Sequence, residues 1–160
     1  MSHMTNKKDS PGIFLPPPLI YAAVFFLSLF VQSKMAIDSS FFGTQNAKIA
    51  GYILIAISLF FIVPALIKFA RSKNTLMTIR PASSLQITGI YAVSRNPMYM
   101  GLLILYSGIA FLKGNWWTFI FIPLIIIIMQ AYVIRGEENY LLRAFGEQYV
   151  VYKKKVRRWI

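Results

Sequence analysis

Two polar clusters interrupt an otherwise apolar chain, and both carry side chains able to do chemistry. The first reads Gly89-Ile90-Tyr91-Ala92-Val93-Ser94-Arg95-Asn96-Pro97-Met98-Tyr99-Met100-Gly101. Asn96-Pro97 is a helix-start pattern, with Asn as the cap and Pro in the first turn. The new helix end offers unpaired backbone N–H groups and the positive end of a dipole, which suit a carboxylate or another anionic group. The second cluster, Arg135-Gly136-Glu137-Glu138, holds two of the five acidic residues in the chain. A carboxylate there can hold an ammonium, a ribose hydroxyl or a sulfonium. Each cluster also has a plain explanation. The first can be a simple helix cap with Arg95 at lipid headgroups and Tyr99 in an interfacial aromatic belt. The second can be a Glu paired along its helix with Arg135 or Arg143, an interaction of about 0.2–0.5 kcal/mol. Chemistry is favoured by the convergence of both clusters on one place.

Residue types narrow that chemistry. There is no cysteine, which excludes disulfides, thiol nucleophiles and Cys-ligated metals. The single histidine, His3, lies in Met1-Ser2-His3-Met4, which has the look of a cloning remnant. With it set aside, no His-based metal site or general base is available. Residues 1–12 are expected to be this remnant and a flexible N-terminus, with the natural chain starting at Met4. Lys7 and Lys8 precede an apolar stretch, but no small-residue cleavage pattern follows, so the first apolar run reads as a retained span.

The elements that must position the clusters are membrane helices. Hydrophobic residues make up 57% of the 160 residues and charged ones 14%, against about a quarter charged in soluble proteins. A soluble fold this small has no way to hide that much apolar surface. The expected architecture is an all-α, polytopic single domain over residues 13–160, with about four transmembrane helices and a C-terminal amphipathic helix. The first span runs from near Pro18 to about Met35, after an interfacial lead-in at 13–17. The second runs from Ile49 to about Phe69, kinked by Pro64. Residues 69–96 form a long polar loop, of a length that is usually functional. The third span runs from Pro97 to near Leu112, a turn follows at Lys113-Gly114-Asn115, and the fourth runs from Trp116 to about Ile134. These last two make an antiparallel hairpin that brings both clusters to the same end. From Glu137 to Arg158, Leu141, Phe145, Tyr149, Tyr152 and Val156 recur every three or four residues, one apolar face of a helix lying on the membrane or over the spans.

The formal net charge of +12 is concentrated in the 69–96 loop and in the tail, where Arg135, Arg143, Lys153, Lys154, Lys155, Arg157 and Arg158 lie. Basic residues flanking long apolar runs mark the cytosolic side. They place both termini, the long loop and the tail there, at the inner membrane if the organism is bacterial. This pattern excludes a nucleic-acid binder, whose basic patches sit on polar surfaces. The Lys153–Arg158 run reads as a binder of anionic lipid.

The pattern Gly89-x-Tyr91-x-x-x-Arg95-Asn96-Pro97-x-Tyr99-x-Gly101 resembles the signature of the isoprenylcysteine carboxyl methyltransferase family and its bacterial relatives, which extends toward phospholipid N-methyltransferases. Glu137-Glu138-x-x-Leu141-x-x-x-Phe145-Gly146-x-x-Tyr149-x-x-Tyr152 resembles the second signature of that family. The resemblance covers roughly residues 75–158, about half the chain. It implies an S-adenosylmethionine pocket closed by the C-terminal helix. The cofactor contacts it implies are Ser83, Ser84, Leu85 and Gln86, then Tyr91, then Asn96, Pro97, Met98 and Tyr99, and finally Glu137. A lipid tail would enter sideways from the bilayer. Members acting on prenylated proteins have His in place of Asn96, and Arg in place of Val133. Arg135 is nearby but out of register.

The implied reaction is methyl transfer to a lipid-like or prenylated acceptor, with Arg95, Arg135 and Glu138 positioning the substrate. A sulfonium methyl is already activated, so a carboxylate or thiolate acceptor needs no general base. An amine must first lose a proton. Two other readings compete. Membrane sterol reductases share an Arg-x-x-x-Tyr-x-Gly pattern and use NADPH, and a small scaffold binding anionic lipid would need no nucleotide-like ligand.

Overall fold

The computed structural model describes residues 11–71 and 84–159, with side chains described for 11–68 and 84–159. The four apolar runs become helices. Helix α1 (Pro17–Lys34) opens on its prolines, whose missing N–H groups would have had no partner in a first turn. Helix α2 (Gln45–Arg71) runs on through Pro64. Helix α3 (Pro97–Lys113) starts at the expected proline. The fourth run, Trp116–Phe145, is helical throughout but broken into α4 (Trp116–Ile120), α5 (Ile122–Ile128), a widened π turn (Met129–Ile134) and α6 (Arg135–Phe145). Pro123, in the first turn of α5, removes one ladder bond at the first break. Among the described residues there is no strand.

Helices Pro17–Lys34, Gln45–Lys68 and Trp116–Phe145 are each long and apolar enough to cross a bilayer. α3 is shorter, with 17 residues, a rise of about 26 Å against a hydrocarbon core of about 30 Å. Large apolar side chains such as Phe26, Phe30, Tyr52, Phe60 and Ile127 point outward, as they do when lipid is the solvent. This is an all-α polytopic membrane protein.

α2 and α3 pack through small residues. A Cβ on Gly108 would lie 2.9 Å from Ile55 Cγ1 and 3.0 Å from the Gly51 carbonyl oxygen, and one on Gly101 would lie 2.6 Å from Ile62 Cγ1 and 3.2 Å from the Ser58 oxygen. In lipid no hydrophobic effect drives helices together, so close backbone approach supplies the attraction. At one end of the bundle Gly114 takes φ +65° with Phe42 Cβ only 2.9 Å from where its own would stand, which makes the tight α3–α4 turn. Asn115 caps α4 by accepting from the Trp117 N–H and donates to Ser28 Oγ, which pairs with Thr118 Oγ1. Those buried polar atoms satisfy one another, as a bilayer requires.

Three sequence expectations change. The lead-in at 13–17 is tied down rather than merely interfacial: Ile13 is buried, the Pro11 carbonyl lies against Gly136, and Tyr132 Oη accepts from the Phe14 N–H. The apolar stripe expected on one helix over 137–158 is carried by two. They are α6 and α7 (Glu147–Lys155), separated by Gly146 at φ 50°, ψ −124°, a conformation open essentially to glycine. Past α7 the chain is extended at Val156, and Arg158, expected within the lipid-binding basic run, turns inward to Glu138. Residues 72–83 of the 69–96 loop, with Arg80, Pro81 and Ser83, lie outside the described residues.

Candidate active site

The hairpin α3–α6 brings the two polar clusters to one end of the bundle. Tyr99, in the first turn of α3, donates its hydroxyl to Glu137 Oε1 at 2.5 Å. Tyr99 is held by burial and by Tyr21, whose hydroxyl donates to the Tyr99 carbonyl at 3.0 Å. The π turn just before Glu137 leaves Val133 and Ile134 both buried and sets the rotation of the helix that follows. Such widened turns recur where a side chain must be re-aimed at a functional site.

Tyr91 lies in a 3-10 turn (Gly89–Ala92) and is buried. Burial pushes its phenol well above the ordinary range, and the nearby Glu137 carboxylate pushes it further. Tyr152 of α7 donates to the Tyr91 carbonyl at 2.7 Å. Burial raises Tyr152 to about 12, so it remains a neutral donor at any physiological pH.

Glu138 does something different from Glu137. Arg95 Nη1 lies 2.8 Å from Glu138 Oε1, and Arg158 reaches both oxygens, Nε at 3.1 Å and Nη2 at 2.7 Å. Arg95 also donates to Tyr149 Oη at 3.1 Å. The Glu138 carboxylate holds Arg158 above its usual value. The tail backbone closes the same contact: the Arg95 N–H donates to the Arg157 carbonyl, and Asn96 Nδ2 to the Arg158 carbonyl at 2.9 Å. Asn96 occupies the cap position as expected, but its side chain does not cap; it is committed to the tail.

The structure therefore unites Tyr91, Tyr99 and Glu137 in one group, and Arg95, Asn96 and Glu138 in an adjoining clamp with Tyr149 and Arg158. Pro97 is buried and Met98 packs against the core. Ser84, Leu85 and Gln86 lie on the approach to the Tyr91 turn, where Gln86 Nε2 donates to Ser84 Oγ. Arg135 is exposed, and it lines a groove beside Glu138 and Arg158 of the clamp. Sequence reasoning passed over Arg158, Tyr149 and Tyr21 as site residues. No local pattern marked them; Trp159, which follows Arg158, packs against the core.

The donor set suits a nucleoside bearing a cationic sulfur and an amino-acid end. Glu137 offers negative charge beside two phenols, and the α3 N-terminus offers backbone donors. Arg95 Nε, buried without a hydrogen-bond partner, offers a further donor to an anion. Among the described residues no cluster of His, Cys, Asp and Glu could hold a metal ion.

Residues 46–148 match the family described as phospholipid methyltransferase. A protein-S-isoprenylcysteine O-methyltransferase of Schizosaccharomyces pombe is 38% identical over 68 residues, 42% of this chain and 29% of that enzyme. An uncharacterized protein of Haemophilus influenzae is 35% identical over 63 residues, 39% of this chain and the whole of the relative. No solved structure gives a significant match. The resemblance is thus borne out over residues 46–148, which hold the first motif and the second as far as Gly146. The chain is a membrane protein of the phospholipid methyltransferase family.

Proposed function

We propose that the protein transfers a methyl group from S-adenosylmethionine to a lipid-like or prenylated acceptor at the cytosolic membrane face. The observation that carries this reading is the Tyr99–Glu137 hydrogen bond, which joins the two family motifs across 38 residues with Tyr91 beside it. Bound S-adenosylmethionine supplies a methyl already activated by its sulfonium, so transfer depends on positioning and exclusion of water. In this chain Glu137 and Tyr99 hold the cofactor, with Tyr91, the Asn96–Met98 segment and the Ser84–Gln86 approach completing its pocket. Arg95 and Glu138 act through the clamp: they fix the tail over the pocket and keep water out. The acceptor atom is a carboxylate, a thiolate or a free amine, and its apolar part enters from the bilayer between outward-facing side chains.

The test is a titration of S-adenosylmethionine into the full chain in detergent, with Glu137→Gln alongside. Saturable binding that weakens in the variant supports the assignment. Binding of NADPH and none of S-adenosylmethionine would replace it with a reductase. Labelled cofactor with a panel of lipids and prenylcysteines then identifies the acceptor.

A further inference from the structure

A second recess lies beside the clamp. It is an open groove of about 480 Å³, and none of Tyr91, Tyr99 or Glu137 lines it. One wall is a stripe on a single helical run: Ile127, Ala131 and Arg135, four residues apart each time. Ile127 is 63% exposed and belongs to the apolar run that crosses the bilayer. Ala131 is exposed as well. Arg135 sits toward the end of the bundle with Lys153 and Arg158, and Glu138 and the neutral Gln130 and Asn139 make up the rest of the lining. The groove therefore runs from apolar at membrane depth to cationic at its end.

The charge balance favours an anion. Glu138 also lines the groove, but its two oxygens are already engaged by Arg95 and Arg158. Arg135 and Lys153 are exposed and leave net positive charge at the polar end. An apolar wall leading to a cationic end has the shape and polarity of a phospholipid whose headgroup carries no cation of its own. A free phosphate would leave the Ile127–Ala131 wall unused. A choline headgroup would put a cation among three others.

We infer that this groove docks one anionic phospholipid, its phosphate among Arg135, Lys153 and Arg158 and an acyl chain along Ile127 and Ala131. The site is distinct from the cofactor cluster, and its occupancy does not depend on the methyl-transfer reading. It also differs from general attraction of a basic tail to an anionic surface, because two particular cations out of the tail cluster matter.

The test is native mass spectrometry of the full chain in a neutral detergent, without cofactor, titrated with phosphatidylglycerol or phosphatidylcholine. A neutral micelle carries no surface potential, so remote lysines contribute little. The expected result is one tightly held phosphatidylglycerol, with phosphatidylcholine weaker. The double variant Arg135→Gln, Lys153→Gln should weaken it about 25-fold, taking each basic contact as about fivefold. The control Lys154→Gln, Lys155→Gln removes the same charge outside the groove and should change affinity less than about twofold. Equal weakening by both double variants, equal binding of the two lipids, or displacement by glycerol phosphate as effective as by lipid would each overturn the proposal. All four substituted positions are exposed, and an unchanged melting temperature of each variant confirms that loss of lipid is not loss of fold.

Discussion

Adjacent glutamates at the end of the fourth apolar run have unlike partners. Glu137 meets a phenol, Tyr99, at 2.5 Å. Glu138, one residue on, meets two guanidiniums at 2.7 and 2.8 Å. On the proposed reading the first receives the cofactor, while the second holds the tail to the segment before α3. Glu137→Gln should weaken S-adenosylmethionine binding roughly 10- to 100-fold, the worth of a hydrogen bond to a charged group, with little change in melting temperature. Calorimetric titration checks both. Glu138→Ala should do the reverse. It strips the buried Arg95 of its carboxylate, and removing one partner of a buried pair costs about 3 kcal/mol. The measurement is tail cleavage by trypsin at Lys153–Arg158, expected to accelerate strongly over the wild type. Cleavage no faster than wild type would show that the clamp does not hold the tail.

Two elements depend on glycine for reasons that differ. Gly146 bends the chain between α6 and α7 at φ 50°, and this bend carries Tyr149 to Arg95 and Tyr152 to the Tyr91 carbonyl. Gly146→Ala should cost about 1–3 kcal/mol from backbone strain and lower cofactor affinity, since α7 would pull away from both motif residues. Gly108 sits at a helix crossing, where a new methyl meets backbone atoms of α2 at 3.0 and 3.1 Å. Backbone has little freedom to shift, so Gly108→Ala should separate α2 from α3 at a cost of about 1–3 kcal/mol, read as a lower melting temperature in detergent. If Gly108→Ala melts with the wild type, the contact is looser than the structure shows. Helix boundaries were largely legible in the sequence, because apolar runs bounded by Pro, Gly and Asn name their own ends. The π turn was not, because it lies within an apolar run whose periodicity carries no mark of it; the break at Phe121 had a mark in Pro123, which the reading of one unbroken span passed over.

At the scale of the molecule, the connection between α1 and α2 lies at the opposite end of the bundle from the 84–96 segment and the tail, because four antiparallel apolar helices alternate direction. With no native cysteine, single-cysteine labelling can test this directly. Ser84→Cys and Lys154→Cys should react with an impermeant maleimide from the same side, and Ser40→Cys only from the other. Labelling of Ser40→Cys and Ser84→Cys from one side would overturn the orientation derived from the basic residues. The clamp joins the segment just before α3 to Arg157 and Arg158, about 60 residues on, so it forms only when these distant parts dock.

What the sequence determined by itself was composition-driven and local. Its apolar content demanded a bilayer, its prolines and glycines set helix starts and turns, and its two motifs lay at one end of a hairpin because the turn between α3 and α4 is short. Tertiary structure alone decided which groups meet. Asn96 has the position of a cap, yet the Arg158 carbonyl takes its side chain, since an extended tail lies within reach. Arg158 falls off the apolar stripe, yet turns inward because α7 ends before it. Pro11 reads as part of a flexible N-terminus and Ile13 as a lead-in, yet both pack on Gly136, where the absence of a side chain leaves room. Such choices depend on the free energy of contacts between distant segments, which local periodicity does not encode.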